Sequence, residues 1–223
     1  MKPGVIFDWD GVIVDSSEQH EASWERLARE IGKPLPENHF QRSFGMKNEV
    51  IIPELLDWTI NPEEIGRLSL RKEELYRELV RERGLEPLPG VVPFLERLAE
   101  ADIPRIVGSS THRENITTSL EALGLASYFP DLVTAEDVSR GKPDPEVFQV
   151  CARHLNRSPA QCVVFEDAHV GIEAARAGGM RVVAVASTHP RESLGDADRV
   201  VDRLDEVSVK DLIALTGSAG VAE

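Results

Sequence analysis

Two cysteines in 223 residues, Cys151 and Cys162, are too few and too irregularly spaced for a disulfide framework or a cysteine-rich zinc site. Both read instead as small apolar residues kept reduced. Basic residues are also in deficit: 25 Lys plus Arg stand against 39 Asp plus Glu, a formal charge of −14. That balance argues against nucleic acid or an anionic membrane as the main partner. It still admits a small anionic substrate, because a metal ion and a few local cations reverse the field inside a cleft. No apolar run is long enough to cross a bilayer. The opening Met1-Lys2-Pro3-Gly4 leads into a short apolar run with no signal-peptide core behind it. The expectation is a soluble cytoplasmic protein, a monomer of one sizeable domain or a core carrying an insertion.

What the chain does have is alternation. Short Val- and Ile-rich runs occur at Val5–Phe7, Arg105–Gly108, Asp131–Thr134, Cys162–Phe165, Arg181–Ala186 and, more weakly, Arg199–Val201. Their near-continuous apolarity suits strands buried on both faces. Helical patterns separate them at Val92–Ala101, Glu114–Leu123, Pro145–Leu155 and Gly171–Ala177, and Ser158-Pro159 has the form of a helix start. Strands and helices alternating at this length predict an α/β fold, a doubly wound parallel sheet covered on both sides. In such sheets ligands bind beyond the carboxyl ends of the strands.

One stretch breaks the alternation. From Ser16 to Pro87 there are helical patterns and no convincing strand. Trp24, Leu27, Ala28 and Ile31 share a helix face with Gly32 as a stop. Asn61-Pro62-Glu63-Glu64 reads as an N-cap, a first-turn proline and an acidic first turn, opening a helix that runs to about Gly84. Pro87-Leu88-Pro89-Gly90 marks the return. The predicted organisation is therefore a core of residues 1–15 and 88–223 with a small all-helical insertion at 16–87. Placed after the first strand, the insertion is a candidate lid, with a helical hairpin packed on the core as the plainer alternative.

The strand ends carry the chemistry. Asp8-Trp9-Asp10-Gly11 follows the first apolar run. Alternate residues of an extended segment point the same way, so Asp8 and Asp10 can converge, and Gly11 permits a tight turn. Paired anions repel unless a cation or proton intervenes, and oxygen ligands favour Mg²⁺; an ordinary acidic turn is the plain alternative. Gly108-Ser109-Ser110-Thr111 ends the second strand with hydroxyls that suit either a phosphate oxygen or the capping of the next helix. Gly141-Lys142-Pro143-Asp144-Pro145 presents a lysine from a proline-stiffened loop. Phe165-Glu166-Asp167 ends a further strand with two adjacent carboxylates, which a shared metal explains better than a second turn.

Acid pair, hydroxyl, lysine and acid pair, in that order at successive strand ends, resemble the four motifs of the haloacid-dehalogenase (HAD-like) superfamily. The resemblance covers essentially the whole chain and includes the helical cap after the first motif, over a Rossmann-like core. It implies a Mg²⁺-dependent phosphohydrolase acting on a small phosphorylated metabolite through an aspartyl phosphate. On that pattern Asp8 is the nucleophile and Asp10 the general acid and base. Ser109 and Lys142 hold phosphoryl oxygens. Asp8, the Asp10 backbone carbonyl and Asp167 bind the metal, with Glu166 a ligand directly or through water. Asp10 argues against dehalogenation, which produces no alcohol to protonate. A receiver-type signalling domain and a non-catalytic metabolite-binding module are rivals, but neither has both the insertion and the full set.

Within the superfamily the insertion resembles that of β-phosphoglucomutase-like enzymes. His20, Trp24, Arg71-Lys72 and the loop Phe44-Gly45-Met46-Lys47-Asn48 find counterparts there. A mutase of that type needs a cap arginine for a second phosphate. Asn48 stands in that place with Lys47 beside it, and lysine lacks the arginine fork. A sugar or sugar-alcohol phosphatase is therefore favoured, with a phosphomutase as the alternative. Gly45–Glu49, Glu136–Val138 with Arg140–Pro145, and Val183–Ser187 also resemble plant plastid phosphatases that act on ribitylaminouracil phosphate. Candidate substrate-binding residues are Gly11, His20, Gly45, Lys47, Lys72, Ser110 and Arg113. His112 with Arg113, His20 and His169 each have a plainer reading as solvated or hydrogen-bonded helix residues. Trp24 suits core packing, and Arg71-Lys72-Glu73-Glu74 suits a solvated face with one or two inward members.

Overall fold

A computed structural model describes residues 2–43 and 46–217. The chain divides into two compact units, Met1–Asp15 with Leu85–Glu223, and Ser16–Gly84.

The first unit is built on six strands, β1 (Gly4–Phe7), β2 (Arg105–Gly108), β3 (Leu132–Val133), β4 (Cys162–Glu166), β5 (Arg181–Val185) and β6 (Arg199–Val201). They form one parallel sheet in the order β3-β2-β1-β4-β5-β6. The chain winds outward from β1 in one direction, then returns beside it and winds outward in the other. The switch point thus lies between β1 and β4, where such sheets open a crevice at the strand ends. Side chains alternate between faces. Val5, Phe7, Val163 and Phe165 enter one apolar cluster, while Ile6, Cys162 and Val164 enter the other. Phe7, Phe94 and Phe165 meet at centroid distances of 5.1–6.0 Å beneath the switch point, a geometry that favours aromatic pairs. Both cysteines are free and buried.

The helical unit holds α1 (Ser17–Ile31), α2 (His39–Ser43), α3 (Asn48–Val50), a wide turn at Ile51–Leu55, and α4 (Pro62–Arg83). α1 ends where Gly32 takes a left-handed conformation. Trp24, Leu27, Trp58, Leu68 and Leu75 are buried in this unit's own core. Trp58 donates its indole N–H to the Pro34 carbonyl at 3.0 Å and meets Trp24 edge-on.

The remaining helices are α5 (Val91–Glu100), α6 (Arg113–Leu123), α7 (Glu146–His154), α8 (His169–Ala177) and α9 (Val209–Gly217). α5, α6 and α9 cover one face of the sheet, and α7 and α8 the other. Two expectations shift. Ser158-Pro159 opens only a single turn, Pro159–Gln161, because the β-branched run of β4 starts at once. The strand expected over Asp131–Thr134 shrinks to two residues, since its polar ends act as caps. Asp131 accepts from Leu132 N–H, and Thr134 closes a reciprocal box with Asp137.

Local capping sets one checkable energy. Asn61 Oδ1 accepts from the N–H groups of Glu63 and Glu64, at 2.9 and 3.3 Å. Asn61→Ala is expected to destabilise the protein by about 1 kcal/mol and Asn61→Asp to preserve it, measured by urea denaturation. An unchanged Asn61→Ala midpoint would show that the cap is energetically silent.

Candidate active site

Parallel pairing sets the first functional residue beside the last. Phe7 registers with Phe165, and Asp8 N–H donates to the Phe165 carbonyl at 2.9 Å. Asp8 and Glu166 therefore leave adjacent strands together at the switch point. Carboxylate oxygens of Asp8, Glu166 and Asp167 lie within 4.8 Å of one another, and all three residues are buried.

Lys142 joins them. Its Nζ donates to Asp8 Oδ1 at 2.8 Å and to Glu166 Oε1 at 2.6 Å, and it lies 4.8 Å from the Phe148 ring centroid. Burial opposes the ammonium charge, but Asp8 and Glu166 outweigh it and hold the Lys142 pKa above the ordinary lysine value. The acids go the other way. Burial pushes the Asp8 carboxyl up, Lys142 pulls it back, and Glu166 adds repulsion. Burial likewise raises Asp167, reinforced by Glu166 and Asp8. Fully ionised, the three carboxylates would outnumber the one ammonium by two, a surplus that a divalent cation would match. The donors are hard carboxylate oxygens, the kind that Mg²⁺ prefers. The residues present therefore fit a Mg²⁺-type ion.

Within the trio the roles separate. Glu166 Oε2 accepts from the N–H groups of Asp167 and Ala168, both at 2.7 Å, while Oε1 takes Lys142. Its oxygens are thus occupied in fixing the lysine and its own loop. Gly171 makes room for it: a Cβ there would sit 1.7 Å from Glu166 Oε1. Gly11 does the same for Asp167. Its φ is +77°, and a Cβ would lie 2.1 Å from Asp167 Oδ2.

Asp10 has its carboxylate outside the trio, accepting from Thr111 Oγ1 at 2.6 Å. The turn that carries it is buried: Trp9, Val12, Ile13 and Val14 are inaccessible, and Gly11 N–H donates to the Val14 carbonyl at 2.8 Å. Val14 pairs antiparallel with Pro87, and Leu88 N–H donates to the Ile13 carbonyl at 2.9 Å. Ser109 is buried, with its Oγ accepting from Thr111 N–H at 3.2 Å. Ser110 is exposed. Arg113 points its guanidinium at Asp137 and the Leu132 carbonyl, so its contacts are with the loop after β3. His112 faces Glu136. The sequence names Thr111 only among the hydroxyls that end the second strand; its bond to Asp10 carries no signal there.

The candidates of the helical unit form their own cluster. Lys72 is buried, with Nζ 2.7 Å from His20 Nδ1 and 3.1 Å from Glu73 Oε1, and close to the Trp24 and Tyr76 rings. His20 stacks on Tyr76. Asn48 Nδ2 donates to Glu73 Oε1 at 2.6 Å and to Ser69 Oγ at 3.1 Å. The stretch Arg71–Glu74 thus splits: Lys72 and Glu73 turn inward, while Arg71 pairs on the surface with Glu30, Glu74 and Glu78. Lys47 is exposed, and Gly45, together with Phe44, lies outside the described residues.

Known proteins carry the same pattern. The chain is 42% identical over 212 residues to the chloroplastic 5-amino-6-(5-phospho-D-ribitylamino)uracil phosphatase of Arabidopsis thaliana, covering 94% of this chain and 56% of that enzyme. It is 32% identical to hexitol phosphatase A of Escherichia coli over 92% of this chain and 93% of the other. In structure it is similar to a β-phosphoglucomutase from Clostridium difficile, with a TM-score of 0.81, 27% identity and 98% of each chain covered. A family profile for haloacid dehalogenase-like hydrolases matches residues 3–179, a span that runs from β1 through Asp8, Asp10, Ser109, Lys142, Glu166 and Asp167. The acidic strand ends gathered around Lys142 are thus those of a family member, and the chain is a haloacid dehalogenase-like hydrolase.

Proposed function

We propose that this hydrolase removes phosphate from a small phosphorylated metabolite of the sugar or sugar-alcohol class through a phosphoaspartate on Asp8. The observation that carries the reading is Lys142 held between Asp8 and Glu166 in a buried cluster of three carboxylates. A carboxylate alone is a poor nucleophile toward a phosphate dianion, because both are negative. A buried ammonium 2.8 Å from the attacking group, beside a site that suits a divalent cation, removes that obstacle.

An Asp8 oxygen attacks phosphorus, the ester P–O bond breaks, and the departing alkoxide takes a proton from Asp10. Asp10 is then the base that removes a proton from water. The water oxygen attacks phosphorus, the bond to Asp8 breaks, and carboxylate and inorganic phosphate are regenerated. The Thr111 hydroxyl steadies Asp10 away from the metal ligands. Ser109 and Lys142 bind phosphoryl oxygens. Asp8, Asp167 and the Asp10 carbonyl would hold Mg²⁺, with Glu166 acting through water because its own oxygens are engaged. When bound, that ion screens the negative charge of nucleophile and phosphoryl group.

We take the helical unit as the cap that supplies selectivity. Its interior favours hydrolysis over mutase chemistry. Lys72 is already matched by Glu73, and Asn48 is committed to Glu73 and Ser69. A second phosphate would find a carboxylate there in place of an arginine fork. The ribityl and hexitol chains in the names of two relatives support a polyhydroxylated substrate. Likeness to a β-phosphoglucomutase keeps the mutase as the second reading.

Asp8→Asn is expected to lower kcat by about 10⁴-fold or more, with circular dichroism unchanged and thermal stability in EDTA no lower, since one repelling charge is gone. Turnover of a phosphate ester by that variant would sink the nucleophile assignment. Gly171→Ala forces Glu166 off Lys142. Turnover is expected to fall by about 100-fold, and native kinetics would show that the Glu166–Lys142 contact is dispensable. A Mg²⁺-dependent panel of sugar, sugar-alcohol and nucleotide monophosphates should give free phosphate, with EDTA abolishing it. β-Glucose 1-phosphate with trace bisphosphate belongs in the panel. Glucose 6-phosphate appearing without free phosphate would establish the mutase instead.

A further inference from the structure

The segment leaving β5 carries three polar side chains that the hydrolytic scheme does not use. The β4–β5 register sets Glu166 beside Ala184, so the chain beyond β5 runs next to the acidic loop beyond β4. Ala186 N–H donates to the Val201 carbonyl at 2.8 Å, extending the pairing by one residue and fixing the direction of exit. Three consecutive residues follow. Ser187 Oγ donates to the Gly11 carbonyl. Thr188 Oγ1 donates to Asp167 Oδ2. His189 Nδ1 lies 2.9 Å from Thr188 Oγ1, and the His189 ring is met edge-on by His169 with centroids 4.9 Å apart.

Proton counting orients this chain. A threonine hydroxyl has one proton, and an ionised carboxylate has none. When Asp167 is ionised, as a metal ligand must be, Thr188 spends its proton on it, and the contact to His189 runs from Nδ1–H to the threonine oxygen. Each link points toward Asp167. The Gly11 backbone closes on the same oxygen, since a Cβ there would fall 2.1 Å from Oδ2 and 3.0 Å from Thr188 Cγ2. Asp167 Oδ2 is thus held by the Thr188 hydroxyl and walled by a bare glycine backbone.

We propose that Thr188, oriented by His189, is a positioning residue that fixes the Asp167 carboxylate for divalent-cation binding, while Ser187 holds the Gly11 turn against it. The proposal rests on the hydrolytic reading in taking Asp167 as a metal ligand. The three residues lie beyond the span matched by the family profile, which stops at 179. Outer partners of a ligating group act by restricting its rotamers, so their loss shows first in metal affinity.

The test is Mn²⁺ binding to the substrate-free chain, read from the electron paramagnetic resonance signal of free Mn²⁺, together with the Mg²⁺ concentration giving half-maximal turnover. Thr188→Val is expected to weaken both by about 10- to 100-fold, with lost turnover recovered at high Mg²⁺ and the thermal midpoint in EDTA unchanged. Thr188→Ser should restore native affinity, and His189→Leu should weaken binding several-fold. A Thr188→Val chain that binds Mn²⁺ as tightly as the unaltered one would overturn the proposal. So would a loss of kcat at saturating Mg²⁺ with metal affinity intact. If Thr188→Val does not fold, native affinity in His189→Leu refutes the oriented chain. An unaltered protein that binds no Mn²⁺ refutes the metal reading itself, whereas equal binding by unaltered and Thr188→Val chains removes only the positioning role.

Discussion

The site depends on one lysine ammonium held between two buried carboxylates. Burying Asp8, Glu166 and Asp167 together is unfavourable, because each loses water and repels the others. Lys142 offsets part of this, two backbone N–H groups satisfy Glu166, and Asp167 accepts from a threonine hydroxyl. A structural ion-pair cluster would be expected to balance its charges. This one does not, and the imbalance sits at the switch point of the sheet. The fold holds the surplus in place through features that tolerate no substitution, notably Gly11 and Gly171, whose missing side chains are the space the carboxylates occupy.

That arrangement explains why much of the site was legible in the sequence. Every residue of the charge cluster ends a strand or opens the loop beyond one, and parallel strands buried on both faces announce themselves as apolar runs. All six runs begin and end within a residue of the observed strand. The run at Asp131–Thr134 loses one residue at each end because Asp131 and Thr134 are caps, and capping residues differ little in type from strand ends. The order of motifs along the chain then puts Asp8, Lys142, Glu166 and Asp167 at one edge of the sheet.

Partners across the fold were illegible for a physical reason. Thr111 binds Asp10 from 101 residues away, and Thr188 binds Asp167 from a loop in which no acidic residue signals a site. A hydroxyl has no periodicity and no charge, so its role is set by the strand register that brings it near. Glu166 taught a related lesson. The sequence offers it as a metal ligand, directly or through water; the strand register adds that its Oε1 also holds Lys142 and its Oε2 two backbone N–H groups. Arg113, drawn toward an anion by its position after Ser109, instead satisfies Asp137 and a β3 carbonyl.

The helical unit handles buried charge differently. Lys72 lies between His20 and Glu73, with two aromatic rings close by, and Asn48 completes Glu73. Here Lys72 and Glu73 pair directly, at 3.1 Å. A dianionic group approaching Lys72 would have to displace or desolvate Glu73, and the loss of that pairing cancels most of the attraction. A hydroxyl, which both donates and accepts, can join the same cluster without breaking it. The two units thus treat buried charge differently: the α/β core gathers three carboxylates around one lysine, and the helical unit pairs Lys72 with Glu73 inside a polar cluster.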